Sequence, residues 1–485
     1  MRFPQIAFVL ILVVLTAFPL VAQSPNGTIN GLVLDSSNRV IAGADILLIN
    51  DATGVKYVSK TNDEGVYVVP NLPPGPYRLQ VSKVGFKTLI KPDIVLNVQD
   101  ALSINFTMPV GATFETLTVE GGAPLVNTES GAVSTVVDRQ FVENLPLNGR
   151  SFNTLMQLTP GVVIAQQPSG AQNGGAPGQF SVAGQRTDSN NLTVDGVSAN
   201  FGVVPSYASG ASGTGTAQAF SVLGGTSSLV SVEALQEFRI ETSSFAPEFG
   251  RSTGGQVVLT TRSGTNQLHG ELYEYFRNDA LDASNWFNGI VVPALPKAAE
   301  RHNDFGGFLG GPIQKDRTFF FFSYEGARLR LPQTQIIQVP SEYARSVAPS
   351  QVLPFLNAYP QPTDRNPVPG VYTSQFTGSF SNSASLNAAS LRVDHEINSR
   401  FSVFGRYNYA PSSTTNRSQT LNDLNAVALN TQTLTVGVNM AFTHSVFNAI
   451  RGNYSRQDAT SVYSMDSFGG AVPLDPNSFA SKLTV

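Results

Sequence analysis

The chain has 485 residues, room for several domains of ordinary size. Charged residues make up 13% and hydrophobic residues 41%, with 43 Gly and 30 Pro, which describes a folded, turn-rich chain and excludes a disordered one. A formal net charge of −4 supplies no basic field for nucleic acid, and the absence of cysteine excludes disulfides, thiolate metal centres and thiol nucleophiles.

At the N-terminus, Arg2 precedes an apolar run from Ile6 to Phe18, followed by Pro19, Leu20, Val21 and Ala22. This is the layout of a secretory signal peptide, so residues 1–22 are expected to be a leader cut after Ala22. The run is too short for the roughly 20 residues of a spanning helix. No later segment reaches 18 consecutive apolar residues, so any passage through a membrane must use strands.

Residues 27–109 alternate short Val, Ile, Leu and Tyr runs with turn signals, which predicts strands near 28–34, 44–50, 55–61, 65–69, 76–82 and 101–108. Asp63-Glu64-Gly65, Pro73-Pro74-Gly75 and Gly85 supply the corners of a small sandwich, expected with seven strands. GLVLD at 31–35, GADILLIN at 43–50 and ATGVKYVSKTNDEGVYVVPNLPPGPYRLQVSKVGFK at 52–87 resemble the carboxypeptidase regulatory-like domain. That resemblance implies a non-catalytic, prealbumin/Ig-like β-sandwich serving as spacer or accessory domain.

Residues 110–122 form a linker in which Glu115, Thr116, Leu117, Thr118 and Val119 make a β-capable pentapeptide between Gly111 and Gly121-Gly122. A strand without a sheet of its own is suited to pairing with a partner's sheet edge, although an edge strand of the neighbouring domain has the same pattern.

Over 123–264, Asp138 is placed to cap a helix at 139–145 that Pro146 stops, and Ser151 one at 152–158 that Pro160-Gly161 ends. From 151 to 230 the only charged residues are Arg186, Asp188 and Asp195, so strands FSVAGQR (180–186) and NNLTVDGV (190–197) should be set among long polar loops at 161–179 and 198–228. Ser231 is expected to cap a helical VEALQEF before an extended RIETSS. ENLPLNGR at 143–150, FSVAGQR, NNLTVDGV, VEALQEFRIE at 232–241 and EFGRSTGGQVVLTTRSG at 248–264 resemble, in that order, the plug domain of TonB-dependent outer-membrane receptors, in particular the Oar-like group. The resemblance implies an α+β plug inside a transmembrane barrel. It also implies that residues 115–119 are the TonB box gripped by an inner-membrane energy transducer. Arg186, Glu237, Arg239 and Arg251 are the candidate plug-to-barrel charge pairs.

From 265 to 485 the pattern is that of membrane strands, with apolar and polar residues alternating over segments of 9 to 11. In 433–443, Leu434, Val436, Val438, Met440 and Phe442 alternate with Thr433, Thr435, Gly437 and Asn439. In 400–409, Phe401, Val403, Tyr407 and Tyr409 oppose Ser402, Arg406 and Asn408; in 389–394, Leu391 and Val393 oppose Arg392 and Asp394. A soluble sandwich with one wet face has the same period, and the plug upstream is what favours a barrel wall. About seven strands are expected, against about 22 in plugged transporters. The reading is therefore an incomplete antiparallel β-barrel, the N-terminal part of a longer receptor. The fold class is mainly β throughout.

No enzyme chemistry is expected. GRSTG at 250–254 matches a nucleophile elbow formally, but a strand follows Ser252 where the motif needs a helix. His269, His302, His395 and His444 make no metal motif, and Asp394-His395-Glu396 reads as a strand end. No cofactor and no metal are implied. The function expected from the resemblance is energised uptake of an unidentified substrate, a carbohydrate or other nutrient, at the outer membrane of a Gram-negative-type cell. The alternative is a secreted or surface-exposed adhesion protein binding a polymer through its sandwich. The two differ at residues 115–119.

Overall fold

In the computed structural model of the protein, residues 25–474 are described apart from 113–115, 119–131, 145–152, 165–179, 207–209, 224, 244, 246–248, 251, 285, 291–296, 298, 418–419 and 444–445. Residues 1–24, which include the expected leader 1–22, and Glu115, Val119, Ser151, Arg251 and residues 475–485 lie outside the described residues.

The N-terminal sandwich consists of β1 (Gly27–Asp35), β2 (Asp45–Asn50), β3 (Lys56–Lys60), β4 (Val66–Leu72), β5 (Gly75–Ser82), β6 (Thr88–Leu96), β7 (Ala101–Ser103) and β8 (Phe106–Met108). One sheet joins β4, β1 and β7, with β8 also on β1; the other runs β3-β2-β5-β6. Every second residue of β1 is buried, and Ile29, Val33, Ile46, Leu48, Tyr67, Tyr77 and Leu79 fill the space between the sheets. This domain has eight strands of its own, one more than expected. The strand at Thr88–Leu96 escapes the sequence pattern because Lys91-Pro92-Asp93 interrupts its alternation, with Asp93 at φ 56°. The segment expected as one strand at 101–108 is two, because the Leu32 N–H donates to the Asn105 side chain in place of a backbone carbonyl.

The linker strand β9 (Thr116–Thr118) is not isolated. It adds in parallel to the free edge of β6, with Thr88, Leu89 and Ile90 opposite Thr116, Leu117 and Thr118. The edge-strand alternative, not the free strand, is what the chain adopts here.

The plug contains β10 (Val133–Val137), β11 (Val162–Ile164), β12 (Phe180–Val182), β13 (Asn191–Val194), β14 (Val197–Ser198), β15 (Gly202–Ser206), β16 (Gly210–Ala217), β17 (Leu235–Ser243) and β18 (Gln256–Thr261). Its main sheet has the order β10-β17-β18-β13-β14 and packs on Val142, Leu155, Met156 and Phe180. The Asp138 carboxylate accepts from the Phe141 N–H, capping the helix Arg139–Asn144 as expected. Ser231 also caps, accepting from Ala234, but the helix is a single 3-10 turn, Val232–Ala234. VEALQEF turns extended at Leu235 because Leu235, Phe238 and Ile240 are buried in the sheet against β18. Part of the expected loop 198–228 is the paired hairpin β15–β16.

The wall is a seven-stranded antiparallel meander: β19 (His269–Asn278), β20 (Arg301–Gln314), β21 (Thr318–Pro340), β22 (Thr373–Asn398), β23 (Phe401–Arg417), β24 (Asp423–Ala441) and β25 (Phe447–Met465). Among the described residues β19 and β25 do not pair, so the sheet is open. Strands reach 26 residues in β22, longer than the expected 9 to 11, because the alternating stretch covers only part of each ladder. At one end the connections are short, 315–317, 399–400 and 442–446; at the other lie 279–300 and 341–372, with the short 418–422.

One face of this sheet holds the plug, and polarity is inverted relative to a soluble sheet. Thr435 is 2% exposed on the plug side while Leu434 is 45% exposed on the other. Arg406 and Asn408 are buried between exposed Tyr407 and Tyr409. Leu272, Phe322, Leu391, Val436, Ile450 and Tyr454 continue the outward apolar band. A soluble sandwich would bury these residues, whereas apolar-out and polar-in is the rule for strands in lipid.

Candidate functional site

The plug meets the wall through a buried polar interface. Val194 pairs with Val197, leaving Asp195 and Gly196 as a two-residue hairpin turn with φ of 51° and 84°, the conformation an Asp-Gly pair favours. This turn aims the Asp195 carboxylate at the wall with 1% exposure. It accepts from the Thr261 N–H at 3.0 Å and the Thr261 hydroxyl at 2.8 Å, and pairs with Arg392 at 3.1 Å. Arg392 also pairs with Asp394 at 2.8 Å and lies over the Phe404 ring, 4.6 Å from its centre. Asp394 in turn accepts from the Ser263 hydroxyl at 2.8 Å. Two acids therefore hold one arginine between plug and wall, which compensates the desolvation of the charges.

A second set of contacts lies further along. Arg406 donates to the Leu229 carbonyl and to Ser390 Oγ, and Asn408 donates to the Ser228 carbonyl at 2.8 Å. Gln457 donates to the Phe220 carbonyl at 3.1 Å, and Ser412 Oγ accepts from the Val222 N–H. Where the plug leads into the wall, the Arg262 guanidinium lies 4.2 Å from the Phe308 ring centre and 4.8 Å from that of Phe321. Gly264 follows because a Cβ there would stand 2.3 Å from the Phe320 carbonyl oxygen. Such contacts hold the plug through individual hydrogen bonds and ion pairs.

The expected charge pairs are placed differently. Glu237 and Arg239 do not face the wall. They project from β17 onto the sandwich domain, where Arg239 pairs with Asp100 at 3.0 Å and donates to the Val98 carbonyl, and Glu237 accepts from the Val98 N–H. Strand β17 presents these residues at its end of the plug because the wall side is taken by the turn that Ser231 caps, where Val232 N–H donates to Glu325 and Ser231 contacts Ser323. Burial pushes the Glu237 carboxyl up to about 8, against the Val98 hydrogen bond, which favours the charged form. Arg186 is exposed at the turn after β12. The sandwich also touches the short-turn end of the wall: the Asn266 N–H donates to the Ala52 carbonyl, and its side-chain amide to Thr53 and Asp316.

Of the five TonB-box candidates, Thr116, Leu117 and Thr118 lie on β6, with Leu117 50% exposed. Asp394 and His395 point to opposite faces, Asp394 to Arg392 and His395 to Thr318, so they do not form a joint ligand set. Among the described residues no group of three His, Asp or Glu is placed to hold a metal ion. Ser252 Oγ accepts from the Gly254 N–H in the turn before β18.

Residues 28–109 match the Carboxypeptidase regulatory-like domain, 126–255 the TonB-dependent Receptor Plug Domain, and 260–352 with 346–479 the Outer membrane beta barrel domain. The chain has the domain set of a TonB-dependent receptor. A curated relative of this chain, the TonB-dependent transporter Oar of Myxococcus xanthus, is 29% identical over 332 residues, which is 65% of this chain and 28% of that protein. The chain thus spans little more than a quarter of that relative's length. Among solved structures, the outer membrane transporter YddB from Escherichia coli is similar at 14% identity and a TM-score of 0.44, over 66% of this chain and 38% of that one. The siderophore receptor PirA from Acinetobacter baumannii follows at 12% identity and 0.37, over 68% and 44%. Plug, β-barrel and regulatory-like domains together support an outer-membrane location for the chain.

Proposed function

We propose that this chain serves energised uptake across the outer membrane: a substrate binds at the long-loop end of the wall, and a transducer pulling on residues 115–119 loosens the plug. The observation that carries this reading is the interface just described, a polar plug seat around Asp195 and Arg392 inside a sheet whose outward face is apolar. Short turns face the periplasm and long loops the exterior in such barrels, and the sandwich contacts the short-turn end, the side from which a transducer would reach it. Transducer capture by strand addition suits Thr116–Thr118, already extended and paired at a sheet edge. Engagement then exchanges the edge of β6 for that of the partner. The substrate class stays open between a carbohydrate and another nutrient.

The test is binding of the chain to a purified periplasmic transducer domain. Leu117→Pro should abolish it, since proline removes a ladder donor and fixes the backbone. Unchanged binding would remove residues 115–119 from the mechanism.

A further inference from the structure

The outward face of the wall changes character partway up. Alternation along β21 sends Ala327 to the plug side, where it packs with Leu386, Ala388 and Ala410 against Leu223, and so sends Phe320, Phe322, Tyr324, Arg328 and Arg330 outward. The ladder places Arg330 opposite Arg301 and Arg328 opposite Asn303, with Ser383 and Ser385 beside them on the next strand. Together with Ser413 they line a cavity of about 340 Å³. Three arginines thus share one outward depression.

Its height is fixed by the strand. Ten residues separate Thr318 at the short turn from Arg328, a rise of about 34 Å along the strand, or about 26 Å once strands tilt by about 40°. An outward apolar band is about 25 Å tall. Phe320, Phe322 and Tyr324, with Leu391 and Tyr407 on neighbouring strands, lie within that span, and the arginines stand at its upper rim. This is the level of the outer-leaflet headgroups.

Among the described residues no acid is paired with these arginines. Like charges directly opposite in a ladder repel, yet Arg301 and Arg330 are opposite each other, and among the described residues neither has an ion-pair partner. The nearest acid on the same face, Glu274, stands across from Phe305, below the arginines on the far side of β20. Arg328 is held in place by donating to the Ala327 and Leu386 carbonyls and to Asn387, with its guanidinium over the Phe305 ring. Guanidinium groups recognise phosphate through paired, charge-assisted hydrogen bonds. We propose that Arg301, Arg328 and Arg330 form a binding site for the phosphate of an outer-leaflet glycolipid. The inference rests on the outer-membrane reading given above.

The test uses the full chain extracted from membranes into a zwitterionic detergent and mixed with micelles of phosphatidylcholine and diphosphoryl lipid A. Retained lipid is read by native mass spectrometry. Wild type should retain the phosphorylated lipid and not its dephosphorylated form. The double variant Arg301→Gln/Arg330→Gln should retain at least about tenfold less, given about 1.5 kcal/mol or more for each charged hydrogen bond lost. Arg301→Lys/Arg330→Lys should restore part of the retention, since the charge stays while the paired geometry is lost, which separates charge from folding. Equal retention by the Gln variant, or of the dephosphorylated lipid, overturns the site. Displacement of the lipid by millimolar inorganic phosphate overturns the lipid as its source and leaves a free-anion site. Fractionation of cells reads the outer-membrane assignment separately: a chain missing from that fraction sinks the membrane reading, whatever the micelles retain.

Discussion

Arg392 of the wall and Asp195 of the plug, 197 residues apart in sequence, meet at 3.1 Å across a buried interface. Removing one partner of such a pair leaves an uncompensated charge, at a cost of about 3 to 5 kcal/mol. Arg392→Ala should therefore loosen the plug, leaving Asp195 with only Thr261 and Asp394 with Ser263. Asp195→Asn should cost less, since asparagine keeps the left-handed turn and one acceptor for Thr261. Hydrogen exchange at β13 and β18 would show it: protection should be highest in the wild type, lower in Asp195→Asn and lowest in Arg392→Ala. Equal protection in all three would mean that the pair does not hold the plug.

The outward face offers a sharper test of what surrounds the wall. Leu434 is exposed and its neighbour Thr435 buried against the plug side. An arginine at the lipid-facing midplane of a barrel costs about 2 to 4 kcal/mol, whereas an exposed position in a soluble sheet tolerates it within about 0.5 kcal/mol. Leu434→Arg should sharply reduce the chain recovered in the outer-membrane fraction without lowering its synthesis. Normal recovery would argue that this face does not meet lipid.

These two residues also mark what the sequence could and could not show. The alternation at 433–443 is visible locally because lipid contact acts on every second residue, and the open sheet follows it strand for strand. The stretch of β22 from Ser379 to Ser390 alternates in the opposite phase, with Phe380, Leu386 and Ala388 buried on the plug side and serines between them, and backbone bonds extend the ladder there all the same, to β21 throughout and to β23 from Ser383. The partners of Glu237 and Arg239 were out of reach for a related reason. Both residues are marked as charges in a low-charge domain, but nothing local says that the surface they meet is Val98 and Asp100 rather than the wall. Asp195 sits in a recognisable Asp-Gly turn, and Arg392 is an arginine on the polar side of a strand; their pairing is a product of long-range topology.

The contact between sandwich and plug should depend on pH. Glu237, with an ordinary value of 4.5, is held at about 8 by burial, with Asp100 and Asp138 raising it further and Arg239 and the Val98 N–H opposing. The docked carboxyl thus keeps a proton that the separated one loses, so docking takes up a proton between pH 4.5 and 8. The contact is strongest below 4.5, weakens as pH rises through that window, and levels off above 8. Cross-linking between cysteines introduced at exposed sites on the two domains should fall over the same window, and Glu237→Gln should flatten the curve. A wild-type yield independent of pH would contradict the buried neutral acid.

The strand Thr116–Thr118 yields the last prediction. Parallel pairing to β6 covers a sheet edge at Thr88, Leu89 and Ile90 that would otherwise carry free donors and acceptors. A transducer that takes the strand must uncover that edge, so its binding energy is reduced by whatever the β6 pairing contributes. Adding the transducer domain should accelerate exchange at residues 88–90 while slowing it at 116–118. Deleting 116–118 should accelerate 88–90 with no transducer present, which calibrates the signal. Protection at 88–90 that persists in the complex would mean that the transducer grips the chain elsewhere and leaves β9 where it lies.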